Sequence, residues 1–69
     1  MIEVFKTNVE ETGESARIIA RLRDLYPKGR INFDLSDCDR ILRIEADQVC
    51  ISEIINLMTS IGYRCEVLL

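Results

Sequence analysis

Sixty-nine residues allow one domain, near the lower size at which a single hydrophobic core holds a chain without metal, disulfide or partner. An apolar fraction of 48% excludes a disordered composition, and nine basic against twelve acidic residues, interspersed to a net charge of -3, supply no electrostatic footprint for nucleic acid or an anionic membrane. No basic start leads into an apolar run and no stretch approaches the ~20 apolar residues that span a bilayer, so no membrane association is expected and the expected location is the cytoplasm.

Residues 2–9 are rich in β-branched and aromatic types and form the first expected strand, with Phe5 and Val9 pointing inward and Ile2 and Val4 the other way. Thr12 is the expected N-cap of a helix over about 13–25, in which Ala16, Ile18, Ile19, Leu22, Leu25 and Tyr26 recur at helical spacing. Pro27 and Gly29 stop it. Ile31, Phe33 and Leu35 then alternate with Arg30, Asn32 and Asp34, the pattern of a half-buried strand. A turn at 36–39 leads into Leu42, Ile44 and Ala46, which alternate with Ile41, Arg43 and Glu45 and complete a hairpin. Ile51, Ile54, Ile55, Met58 and Ile61 make the stripe of a second helix that begins near Cys50 and ends at Gly62, a residue free to adopt positive φ. Tyr63, Cys65 and Val67 alternate with Arg64 and Glu66 in a last strand.

The order β-α-β-β-α-β is that of the ferredoxin-like split βαβ unit, an α+β fold. It implies a four-stranded antiparallel sheet of order 4-1-3-2, with both helices on one face, and residues 1–69 as one domain. Ile19, Leu22, Phe33, Leu35, Leu42, Ile44, Ile54, Ile55, Met58 and Ile61 are the expected core, with Phe33 the side chain whose truncation is expected to unfold the domain. Cys38, Cys50 and Cys65 are odd in number and sit in apolar or turn patterns, which reads as reduced structural thiols with Cys38 the reachable one.

The chain resembles, over essentially its whole length, the heavy-metal-associated (HMA) domain of copper chaperones and metal-pumping ATPases. The best match is the apolar helix closing on Gly-Tyr, here Ile54-Ile55-Asn56-Leu57-Met58-Thr59-Ser60-Ile61-Gly62-Tyr63. The family's diagnostic G-M-x-C-x-x-C lies at its first strand-to-helix turn. Aligning Ile18 and Leu22 with that family's first helix puts Asn8 at the glycine, Val9 at the methionine, and Glu11 and Glu14 at the two cysteines. Two carboxylates cannot replace thiolates for a soft ion, and this turn offers too few oxygens for calcium or magnesium. Acidic groups at a helix start interact well with its dipole, which accounts for both. The resemblance thus implies the fold without a metal or any other cofactor.

Asp34, Asp37 and Asp39 flank a hairpin turn and read as turn formers, since the glycine and distal glutamate of an EF-hand are missing. The chain has no histidine, and no serine stands in a nucleophile motif, so no enzymatic activity is expected. The outward strand positions Arg30, Asn32, Asp34, Ile41, Arg43, Glu45, Arg64 and Glu66 offer no aromatic platform for RNA. The expectation is therefore a non-catalytic protein-interaction or regulatory module. Its partner is an unidentified protein or a second copy, met through the sheet edge at Val67, Leu68 and Leu69. The alternative is a metal- or small-ligand-binding domain, metallochaperone-like or ACT-like, using Glu11, Glu14 or Cys38, although the glycine-rich first turn usual in ACT domains is reduced here to Gly13.

Overall fold

Period-two and period-3.6 hydrophobic patterns each find their element. The computed structural model describes residues 1–68 and contains β1 (Ile2–Thr7), α1 (Thr12–Leu25), β2 (Arg30–Asp34), β3 (Ile41–Glu45), α2 (Ile51–Ser60) and β4 (Cys65–Val67). The strands form one antiparallel sheet of order β2-β3-β1-β4, which is the expected 4-1-3-2 read from the other edge. No helix among the described residues is long and apolar enough to cross a membrane.

Phe5 opposes Leu42, and Leu42 opposes Phe33, on the face that the helices cover. Ile18 and Leu22 of α1 and Ile54 and Met58 of α2 join Phe5, Val9, Ile31, Leu42, Ile44 and Cys65 in one buried cluster. Phe5 and Val9 point inward as the alternation predicts. On the opposite face Ile2 lies beside Glu45 and Arg30, and Val4 beside Arg43 and Asn32.

Three expectations need correction. Ile18, with Ser15 and Leu22, is the buried line of α1, whereas Ile19 is half-buried and Ala16 and Leu25 are exposed. Two helices share one sheet face, so each turns only a narrow stripe inward, and a residue one position off that stripe is rotated by about 100° onto the flank. Phe33 is half-buried and packs against the buried cluster from its margin, whereas Ile31, two residues earlier on the same face of β2, lies inside it. The central strand supplies the fully buried aromatic, Phe5. Finally, the N-cap of α1 is Glu11 rather than Thr12.

The helix ends have local causes. Glu11 and Glu14 form a capping box in which the Glu11 amide donates to Glu14 Oε1 at 3.2 Å. At the end of α2 the Tyr63 amide donates to the Met58 carbonyl at 2.9 Å and the Gly62 amide to the Thr59 carbonyl at 3.1 Å, a Schellman motif. Gly62 holds φ of 96°, the left-handed conformation this motif requires. Gly29 has a different role: a Cβ there would lie 3.0 Å from the Glu45 carbonyl oxygen.

Candidate functional site

Three turns meet at one end of the sheet. The β1–α1 turn follows Thr7, and Thr7 donates through its amide to the Asp39 carbonyl at 3.0 Å and through Oγ1 to the Arg40 carbonyl at 2.6 Å, which fastens the β2–β3 turn beside it. Asn8 Oδ1 accepts the Arg64 amide at 2.8 Å and brings in the α2–β4 turn. The positions aligned with the HMA metal motif therefore sit at this end, with the Asp37-Cys38-Asp39 turn close by.

Glu14 is the centre of the arrangement. Its Oε1 accepts the Glu11 amide and its Oε2 accepts the Tyr63 hydroxyl at 2.8 Å. Those hydrogen bonds, Tyr63's first, hold the Glu14 carboxyl below its ordinary pKa, and the same contact raises that of Tyr63. Glu14 and Tyr63 line a concavity of about 280 Å³ with Arg17, Ile18, Arg21 and Ile61. Each oxygen of Glu14 already has a donor, and Glu11 is committed to capping the helix, so the two side chains act as the start of α1.

The hairpin turn is organised by its own aspartates. Asp34 Oδ1 accepts from the Ser36 amide at 3.2 Å and the Ser36 hydroxyl at 2.6 Å, while Asp37 Oδ1 accepts the Asp39 amide at 2.8 Å. The Ser36 hydroxyl is the main cause of the lowered pKa of Asp34. Arg40 takes the left-handed φ of 45° and donates to the Leu35 carbonyl, closing the turn. One ligand atom from each of Asp37, Cys38 and Asp39 lies within 4.8 Å of the others, and Lys6 Nζ stands 3.7 Å from Asp39 Oδ1.

Among the cysteines, Cys38 is exposed as expected, but so is Cys50, which the pattern had placed among the structural thiols. Cys50 sits at the N-cap of α2, outside the buried stripe, with its Sγ 3.4 Å from Ser52 Oγ, and that hydroxyl lowers its pKa. Its amide donates to the Tyr26 hydroxyl at 2.9 Å, a contact between the two helix ends. Cys65 is buried, and desolvation pushes its thiol up to about 11. Of the expected interaction edge, Val67 is half-buried at the end of β4, Leu68 is 41% exposed, and Leu69 lies outside the described residues.

Sequence reasoning missed Tyr63 as a partner of Glu14. The Gly-Tyr pair after the helix was visible, but the contact spans 49 residues and no local pattern encodes it. A second concavity, of about 440 Å³, lies at the opposite end of the sheet among Met1, Leu25, Gly29, Arg30, Glu45 and Ala46, and mixes charges of both signs. No protein-family profile matches the chain, and neither does any characterised protein or solved structure.

Proposed function

We propose that this chain is a non-catalytic protein-interaction or regulatory module of the cytoplasm, related to HMA domains in architecture but without their metal carriage. The observation that carries this reading is the use made of Glu11 and Glu14. At the positions where the resemblance places two metal thiolates, one residue caps α1 and the other is shared between the Glu11 amide and the Tyr63 hydroxyl. A carboxylate whose oxygens already accept strong donors gives a cation little reason to displace them. The three free cysteines, two of them exposed, suit a reducing compartment.

The test is titration with cuprous, zinc and magnesium ions followed by backbone amide NMR. The reading expects no saturable, localised shifts. Micromolar binding that moves residues 11–15 overturns it, as does micromolar binding that moves Asp37, Cys38 and Asp39.

A further inference from the structure

We infer that the concavity between α1 and the end of α2 binds a small organic oxyanion, a carboxylate or phosphate carried on an apolar group, with Arg17 and Arg21 holding the charge and Ile18 and Ile61 facing the apolar part; this deepens the regulatory-module reading and rests on it. These four residues, with Glu14 and Tyr63, line a space of about 280 Å³. That is just below the ~300–1,000 Å³ of drug-sized ligand sites and leaves room for a small molecule.

Helix geometry places the charges. Glu14, Arg17 and Arg21 follow one another at spacings of three and four along α1 and so share one face. Glu14 spends its two oxygens on the Glu11 amide and the Tyr63 hydroxyl, and Arg21 stands about 10 Å further along the helix axis at the usual rise per residue. Both arginines are exposed, and among the described residues neither guanidinium has a carboxylate oxygen within 4.0 Å. Like charges one turn apart destabilise a helix, and an oxyanion that accepts N–H donors from both replaces that repulsion by attraction.

The walls are fixed, and the excess of positive charge is particular to this place. Ile18, 2% exposed, anchors α1 in the core between the two arginines, and Ile61 and Tyr63 belong to the hydrogen-bonded end of α2, where the Tyr63 amide donates to the Met58 carbonyl. A ligand therefore meets a surface already in shape. The larger concavity at the opposite end of the sheet mixes Lys28 and Arg30 with Glu45 and Asp47, so its side chains favour neither sign of ligand. The chain as a whole carries a net charge of -3, so its long-range field repels anions and only a local site gathers one.

Backbone amide NMR of the full chain at constant ionic strength tests the site, with benzoate, phenyl phosphate, inorganic phosphate and neutral benzyl alcohol as probes. Benzoate or phenyl phosphate should give saturable shifts centred on residues 17–21 and 61–63, and the tighter of the two names the anion as carboxylate or phosphate ester. Benzyl alcohol and inorganic phosphate each carry half of the recognised chemistry and should bind about tenfold more weakly or less. R21Q should weaken the better aromatic anion about tenfold, whereas R23Q, which leaves the concavity intact, should not change it. The inference is overturned by an absence of saturable shifts at tens of millimolar, by shifts centred elsewhere, by either control binding as tightly as the better aromatic anion, or by equal effects of R21Q and R23Q. None of these results touches the metal-free reading, which falls only to the metal titration.

Discussion

The Tyr63 hydroxyl donates to Glu14 Oε2 at 2.8 Å and so ties the loop after α2 to the first turn of α1. One phenol thereby holds in place the carboxylate that, in turn, accepts the Glu11 amide at the helix start. Glu14 thereby joins the start of α1 to the loop that follows α2.

Glu14 makes that junction pH-dependent. A carboxyl whose folded-state pKa lies below its ordinary value of 4.5 contributes stability above that value, and the contribution is lost as pH falls through the depressed folded-state value. Tyr63→Phe removes the main cause of the depression. The variant should melt lower than wild type near neutral pH, and the difference should shrink once Glu14 is protonated, as thermal melts across the acid limb would show. A difference that stays constant with pH would mean that Tyr63 acts by packing alone.

Burial separates the two phenylalanines. Phe5 is 0% exposed on central β1, so Phe5→Ala should cost about 3–5 kcal/mol and leave so small a domain largely unfolded. Phe33→Ala, on edge strand β2, should cost clearly less and leave a cooperative transition in urea. Equal losses at both positions would contradict the half-burial of Phe33.

The thiols should react in two classes. Cys38 and Cys50 are exposed and should label quickly, Cys50 ahead because the Ser52 hydroxyl favours its thiolate, while buried Cys65 should wait for opening of the fold. Desolvation raises Cys65 from 9.0 to about 11. Its contribution is therefore fully present below pH 9.0 and lost as pH climbs through about 11. Cys65→Ala should be less sensitive to alkali than wild type in melts across that window, and an unchanged alkaline slope would count against the burial of Cys65.

Replacing Glu11 and Glu14 together by cysteine is the constructive test of the HMA resemblance. The capping box brings these residues together at one helix start, so the pair E11C and E14C should gain tight one-to-one binding of cuprous or zinc ion, measured by competition with a chelator, while the wild type shows none. The same change removes the cap and the Tyr63 contact, so the metal-free double variant should melt lower than wild type. Failure to bind in a folded double variant would undo the alignment that places these residues at the metal positions.

Much of the architecture was legible along the chain. Strict alternation in residues 30–35 and 41–46 marked a hairpin, and the Ile51 to Ile61 stripe closing on Gly62 marked α2, because side-chain direction repeats every two residues in a strand and every 3.6 in a helix. Six elements in that order leave few ways to close an antiparallel sheet, so the strand order followed as well. Which of Ile18 and Ile19 reaches the core was different, since both fit the helical period and only the way two helices share one sheet face separates them. Phe33 read as core by alternation and does pack against the buried cluster, but Ile31 on the same strand and face is buried and Phe33 only half so, a difference that the period of two does not carry. The candidate site was half visible: Glu11 and Glu14 were recognised as the start of a helix, whereas the bond from Tyr63 was not. Local periodicity encodes which face a residue takes; what that face meets is set by groups far along the chain, and only the closed fold brings Tyr63 to Glu14.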